Sequence, residues 1–519
     1  MTRPRLLACL GLLALCSIAF AGSESTVKTT TSANSARRFT LREAIETAFQ
    51  RNPDILRARQ EIRRTKGVQI EVLSQALPHL DATAAFNFTD PGLRGGSSGS
   101  STIITTGGGG GATPTPLPSA TPLPTASPGT VVATSSTLTD YSYNLNLTGS
   151  QLLYNGSVIP AIRGAGAAND VSIYGLRDTI DRVIALVRQQ FYQVILNKQL
   201  IGVQEESVSL LESQLKDQQN RFEAGTVPRF NVLQAEVALV NQQPALITAR
   251  NNFRIAQLQL AKTIGLDFDP RRGDRPPLEA VGELTFTPRE IPLPVAIELG
   301  KERRAFLKQQ RSNILVQVSN LQGAFAGIQP TLNLNGGYAF ESSQFSSKLR
   351  DVAEGWFFGV TGSWAIFDGL ETVGRVKQAR ATLSQAKITY DDAVRQVELE
   401  IQQAYSNLQQ DRELYDSQSK NVDQAREALR LASARLGVGA GVQLDVLNAQ
   451  VALTQAQSTR LSALFSYNAD LAEFDRVTAT DTVYHDEFDD PLTRRRGETR
   501  MTKTTTTTTK SRKVESSGK

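Results

Sequence analysis

Reactive side chains are what this chain has least of. Its 519 residues include two cysteines, two histidines and two tryptophans. Both cysteines, Cys9 and Cys16, lie in residues 1–21, where Arg3 and Arg5 precede the apolar run Leu6–Phe20 and Ala19-Phe20-Ala21 forms an A-x-A cleavage pattern. That layout is an export signal, and a chain cut after it has no disulfide or thiol chemistry. The bulky Leu15 before Cys16 argues against a lipid anchor there. His79 and His485 are far apart, and no H-E-x-x-H, C-x-x-C, G-x-S-x-G or Walker A pattern occurs. Gly437-Val438-Gly439-Ala440-Gly441 follows a helical stretch and is not G-x-G-x-x-G, so it does not read as a nucleotide loop. The expectation is a protein that is not an enzyme, with no catalytic, cofactor-binding or metal-binding residue. Beyond residue 21 there is also no apolar run of the ~18 residues a membrane helix requires; strands give a much weaker membrane signal.

Net charge is nearly absent too, once its position is considered. The total is +5, but residues 494–519 hold nine Lys/Arg against two Glu, or +7, which leaves −2 for the rest. The basic character therefore belongs to a Thr-rich tail, 481–519, read as a solvated, disordered terminus rather than a nucleic-acid site.

What the chain does have is a repeat. RFEAGTVPRFNVLQAEVAL, from Arg221, returns as RLGVGAGVQLDVLNAQVAL, from Arg435, a constant offset of 214. Each copy puts a glycine break between two helical runs, the pattern of a helical hairpin tip, with Gly225 and Gly439 where a positive φ is needed. Around the tips the order of elements is also written twice. Residues 22–38 read as a linker. A helix then begins at Thr40, with Glu43 completing a capping box; Asn52-Pro53 interrupts it, and a second piece runs to about Leu77. The period then changes from 3.6 to 2. In 79–88, Leu80, Ala82, Ala84, Phe86 and Phe88 oppose Asp81, Thr83 and Asn87. Residues 90–139 are Gly-, Ser-, Pro- and Thr-rich and read as a disordered loop. Alternation resumes over 141–154 and is followed by a long hairpin, 156–264, with its tip at 224–228 and Pro228 in the first turn of the returning helix. A linker, 265–292, separates this first repeat (39–264) from the second (293–480). The second repeat carries strands at about 330–340 and 356–367 and a hairpin at 369–478 with its tip at 437–443.

In the second hairpin, Ala379, Leu383, Ala386, Tyr390, Ala393 and Val397 are spaced as a coiled-coil stripe, and Tyr415, Val422, Ala425, Leu429, Ala432 and Leu436 continue it. The stripe is thin, so these rods need neighbours. The segments Phe191-Tyr192 and Tyr390 to Tyr405 read as packing aromatics.

Four strands of about ten residues match the length that crosses a bilayer, and between them they hold one charged residue, Asp81. Phe86, Phe88, Tyr141, Tyr143, Tyr338, Phe340, Trp356 and Phe358 gather toward one end, while Trp364 lies near the other, as interfacial girdles do. Four strands cannot stay open in lipid. Two chains would give a filled eight-stranded barrel, and three would give twelve strands with a lumen. Two alternatives remain at this point: a periplasmic coiled-coil adaptor or structural protein without a barrel, and a surface adhesin using the 90–139 loop.

The start F-T-L-x-E-A-I at Phe39, Asn52-Pro53, Leu77-Pro78, the two turns LTGSQLLYNG and VTGSWAIFDG, and the two tips resemble the TolC-like outer membrane efflux protein family over roughly residues 39–480. That resemblance implies a fold that is mostly α with a membrane β-barrel. Each protomer of a homotrimer would give four strands to a shared twelve-stranded outer-membrane barrel and its coiled-coil hairpins to a periplasmic tunnel. The function implied is an exit duct for a tripartite efflux pump or type I secretion system. Its partners would be a periplasmic adaptor, an inner-membrane transporter and outer-membrane lipid, with no cofactor and no nucleic acid. The tips Gly225, Thr226, Gly439 and Ala440 would touch the adaptor. Asp445 matches a family position whose carboxylates ring the periplasmic aperture; Asn448 and Asn231 stand where further acids could have strengthened it. From the residues alone, Asp445 reads equally well as a first-turn acid facing the helix dipole.

Overall fold

The computed structural model describes residues 37–88, 141–266, 278–342 and 352–480. The export signal, most of the 22–38 linker, the 90–139 loop and the tail expected from the sequence lie outside these residues.

The chain enters through a short strand, β1 (Arg37–Phe39), and helix α1 (Leu41–Arg51). Thr40 accepts from the Glu43 amide at 3.3 Å, and the Glu43 carboxylate accepts from the Thr40 amide at 2.9 Å, so two end donors are satisfied reciprocally. Asn52 closes α1 and caps α2 (Pro53–Ser74): its Oδ1 accepts from the Asp54 and Ile55 amides at 2.8 and 3.2 Å. Its Nδ2 donates to the Thr263 carbonyl at 2.7 Å, tying the junction to a helix two hundred residues away. Helix α2 stops at Ser74, short of Leu77, because a turn intervenes before Pro78.

Strands β2 (His79–Phe88) and β3 (Tyr141–Asn155) are antiparallel neighbours. Helix α3 (Val158–Glu223) runs down to the first tip and α4 (Arg229–Thr263) runs back. At ~1.5 Å per residue the 66 residues of α3 span about 100 Å. Pro228 sits just outside α4, at its N-cap with extended backbone, and not within the first turn as expected. Strand β4 (Leu278–Ala280) pairs in parallel with β1. The two stretches read as plain linkers are thus stitched together, with Phe39, Leu278 and Ala280 buried in the core. Three-residue strands are too short to leave an alternation signal.

The second half follows with α5 (Leu293–Arg303), α6 (Ala305–Ala324), a 3-10 turn, strands β5 (Thr331–Ser342) and β6 (Val352–Ser363), and helices α7 (Glu371–Gly437) and α8 (Gln443–Thr478). Strand β6 starts and ends four residues earlier than the alternation suggested. Its partner β5 begins only at Thr331, opposite Ser363, so Trp364 and Ile366 have no strand to pair with. The true ends also bring Glu341 and Glu354 into the strands, so Asp81 is not their only charge.

The sheet order is β2-β3-β5-β6. The helices keep the same order: α2 packs on α3, α3 on α6, and α6 on α7 beside the sheet, while α4, α3, α8 and α7 follow one another toward the tips. The chain is therefore a wall with two open edges, β2/α2/α4 on one side and β6/α7 on the other. The largest core lies where α3 meets α1, α2, α4 and β4, around Leu176, Ile180, Val187, Phe191 and Leu260. A smaller one joins α5, α7 and α8 around Val397, Ile401, Tyr467 and Phe474. Phe286 bridges the two, stacked on Tyr415 with ring centroids 4.6 Å apart.

Candidate functional site

Strand register sorts the sheet into two faces. On one, Leu80, Ala82, Ala84 and Phe86 align with Gly149, Leu147, Leu145 and Tyr143, then with Gly336, Tyr338 and Phe340, and finally with Phe358, Trp356 and, at one end, the single carboxylate Glu354. These side chains have no cover in the protomer: Leu80 and Trp356 are each 72% exposed and Phe358 78%. The opposite face carries Asp81, Thr83, Asn144, Asn146, Thr148, Ser150, Asn333, Asn335 and Thr361, with Asn335 Nδ2 donating to Thr361 Oγ1 at 3.2 Å.

The expected interface aromatics distribute as follows. Tyr143 and Phe340 lie 6.4 Å apart, Trp356 meets Tyr338 edge-on at 5.1 Å, and Phe358 stacks beside Trp356 at 6.3 Å. Phe86 and Phe88 are exposed on the same face. Tyr141 pairs in register with Phe88. Trp364 belongs to the turn after β6, where its indole donates to the Ile328 carbonyl at 3.1 Å. It still lies at the helix-proximal end of the sheet, beside exposed Ile366 and Phe367.

The tips are built identically. Gly225 and Gly439 have φ of +73° and +77°, conformations glycine adopts without strain. The Thr226 and Ala440 amides reach back to the Arg221 and Arg435 carbonyls, each at 2.9 Å, which satisfies the last carbonyls of α3 and α7. Beyond them, the Asn231 and Asp445 amides donate to the Pro228 and Val442 carbonyls at 3.1 Å. Asp445 and Asn448 are exposed, and Asn231 is half-buried. The structure thus keeps Asp445 and Asn448 together on the first turns of α8 and leaves Asn231 on the other hairpin.

Above the tips, α3 and α8 are joined by buried amides. Gln218 Nε2 donates to Gln443 Oε1 and Gln450 Nε2 to the Ser207 carbonyl, both at 3.1 Å. Higher still, a set of ions was not anticipated from the sequence. Arg188 binds Asp475 at 2.9 Å with both side chains buried, and Arg289 reaches the other oxygen of Asp475 at 2.5 Å. The available signal was a lone arginine inside the apolar run IALVRQQF. Arg304 meets Glu400 at 2.5 Å. Burial alone would raise the Glu400 carboxyl, but the Arg304 hydrogen bond and charge bring it below its usual value. Asp411 of α7 faces Asp470 of α8. Burial first, and then the Asp470 charge, push Asp411 up to about 6, and burial raises Asp470 as well. Nothing here resembles a catalytic centre; the arrangement is a two-faced wall with polar joints.

The family model for outer membrane efflux proteins matches residues 44–266 and 297–479. Nodulation protein T of Rhizobium leguminosarum bv. viciae is 23% identical over 337 residues, covering 64% of this chain and 66% of that protein. The alkaline protease secretion protein AprF of Pseudomonas aeruginosa is 22% identical over 341 residues, covering 63% of this chain and 68% of its own length. These alignments span about two thirds of each relative. The crystal structure of the Campylobacter jejuni CmeC outer membrane channel superposes with a TM-score of 0.67 at 16% identity, covering 88% of this chain and 90% of that one. The chain belongs to the outer membrane efflux protein family, as its motifs suggested.

Proposed function

We propose that this outer membrane efflux protein works as a ring of three copies, a passive exit duct for a tripartite efflux pump or type I secretion system. One observation carries the reading: the open edge of the sheet continues into the open edge of the helix layer on both sides, and both edges carry uncovered apolar side chains. Val237, Val240 and Ile247 of α4 and Ile388 and Leu399 of α7 are about half to two-thirds exposed. An edge of one kind at each side is a head-to-tail interface, and such interfaces close into rings when the rotation allows. In lipid the sheet must close, because its edge amides have no water to bond. Three protomers give twelve strands, the apolar face turned to lipid and the Asn/Thr/Ser face to a wet lumen.

In this assembly Gly225, Thr226, Gly439 and Ala440 contact a periplasmic adaptor, and three copies of Asp445 draw cations toward the aperture, with Asn448 and Asn231 leaving that ring weaker. Energy comes from an inner-membrane transporter. AprF is an alkaline protease secretion protein and the family is one of efflux proteins, and both support a duct. A periplasmic adaptor without a barrel is disfavoured by the apolar sheet face, whose edge-strand side chains Leu80, Trp356 and Phe358 are more than two-thirds exposed. Detergent-extracted protein is expected to run as a trimer and to conduct in planar bilayers. A detergent-independent soluble monomer without conductance would overturn the reading. Cysteines introduced singly at Thr226 and Ala440 are expected to cross-link to the adaptor in cells.

A further inference from the structure

Phe357 breaks the pattern of the wet face. Its strand neighbours Trp356 and Phe358 belong to the apolar face, so Phe357 points the other way, in one row with Gly337, Thr148 and Asp81. Among the described residues of the four long strands it is the only aromatic on that face. The wall around it has been cleared. Gly355 and Gly359, two residues either way on the same face, have nothing within 4 Å of where a side chain would start. The ring lies over its cross-strand partner: Cζ is 3.0 Å from where a Cβ on Gly337 would be. Even so, Phe357 remains 41% exposed. An aromatic set between glycines keeps part of its side chain open to solvent. The ionised groups sharing this face are carboxylates: Asp81 in the same row and Glu341 two rows away, with His79 the one basic side chain in these strands.

We propose that Phe357 is a specificity-determining residue of the barrel lumen, a contact point for planar aromatic cations in transit. This rests on the trimeric duct proposed above, whose symmetry places three copies of the ring at one level. An aromatic cation stacks on the exposed ring, and a ring face attracts positive charge. The carboxylates of the same face, Asp81 three strands across and Glu341 two rows along, favour the same sign of cargo through the potential of the lumen rather than by contact.

The test is single-channel recording of the purified trimer with ethidium added as the probe. The wild type is expected to show brief ethidium blockades. In Phe357→Ser they shorten by about fivefold, the scale of one exposed cation–π contact, while Phe357→Trp restores or lengthens them. Phe357→Leu keeps the bulk and is expected to behave as the serine variant does. Blockades unchanged in the serine and leucine variants, with conductance intact, would overturn the proposal and leave the duct standing. A role limited to covering Gly337 gives that same result together with a lower trimer dissociation temperature, and it too overturns the proposal. A wild-type protein that never conducts removes the duct itself, a separate failure.

Discussion

Residues 221–239 and 435–453 are near copies, yet they are buried on different sides. In the first copy Ala235 is 1% exposed and Leu233 47%, while Val237 and its counterpart Val451 are exposed in both copies, at 57% and 66%. In the second, Val446 and Leu447 are 3% and 7% exposed and Ala449 is only half-buried. The backbone does not account for this, because both tips share the same glycine conformation and the same closing hydrogen bonds. The neighbours do. Helix α8 sits inside the wall, packed on α3 and α7, whereas α4 forms an edge packed on α3. The same motif has thus been used once to hold a protomer together and once to present an apolar stripe. A duplicated sequence need not mean a duplicated role when its two copies occupy an interior and an edge.

The sharpest way to break this comparison is to place a charge at the matched leucines. Leu447→Asp buries a carboxylate in the α8 interior and is expected to destabilise the hairpin by roughly 3 kcal/mol or more, seen as lost helical signal and rapid proteolysis near the tips. Leu233→Asp is expected to leave the helical signal of the protomer intact and to abolish the trimer by light scattering in detergent. If both variants lose helix equally, the edge reading of α4 is wrong.

The next contrast is between α3, embedded on several sides, and α7, covered mainly along one stripe. Arg188 of α3 is buried against Asp475; Arg375 of α7 pairs with Glu371 at the surface, both 60% exposed. Arg188→Ala removes one of two cations from a buried carboxylate and is expected to cost about 2–4 kcal/mol by thermal melting. Arg375→Ala is expected to cost less than about 0.5 kcal/mol. Comparable losses would show that α7 is far better covered in the protomer than its exposed Ile388 and Leu399 indicate.

A smaller, pH-dependent effect separates the two hairpins further, since the Asp411–Asp470 pair lies between α7 and α8. Asp411 titrates near 3.8 when exposed and at about 6 in the fold, chiefly through burial. The folded state thus holds a proton that the unfolded state gives up. Stability falls as pH rises from about 4 to 6, and the penalty is complete above 6. Asp411→Asn is therefore expected to stabilise at pH 7.5, by on the order of 1–2 kcal/mol after allowance for sharing with Asp470, with little effect at pH 4. A gain equal at both pH values would show that the carboxyl is not the source.

Most of the architecture was legible because it is long and periodic. The capping box at Thr40, the alternation in 79–88 and the heptad stripe from Ala379 each express one local rule over many residues. Three things were not legible. The β1–β4 pairing rests on three residues a side and on Phe39, Leu278 and Ala280 meeting in the core. The ends of β6 are set by where β5 runs out of partners, a fact about another segment. The Arg188–Asp475–Arg289 cluster joins residues up to 287 apart, and spacing along the chain says nothing of it. Among the site residues, the glycines of the tips could be read from their chemistry alone, whereas Phe357 was assigned to neither face until strand register put it opposite Trp356 and Phe358.

The smallest expected effect bears on one of the chemical differences between the tips. Offset 214 pairs Asn231 with Asp445, and each follows its tip with the same amide hydrogen bond, to Pro228 and Val442. If Asp445 only faces the dipole of α8, Asp445→Asn lowers the stability by the few tenths of a kcal/mol typical of a first-turn acid, read by thermal melting, and leaves ion selectivity alone. If three Asp445 carboxylates face one aperture, the same change reduces cation-over-anion permeability about two- to threefold in an asymmetric KCl bilayer, with screening by salt weakening the effect. Asn231→Asp separates these further. As an N-terminal acid on α4 it is expected to stabilise by a similar few tenths, and because Asn231 is half-buried on the edge hairpin it is expected to raise selectivity by less than Asp445→Asn lowers it. A rise in selectivity from Asn231→Asp equal to the loss from Asp445→Asn would place both hairpins at the aperture on the same footing and cancel the distinction between edge and interior at that end of the molecule.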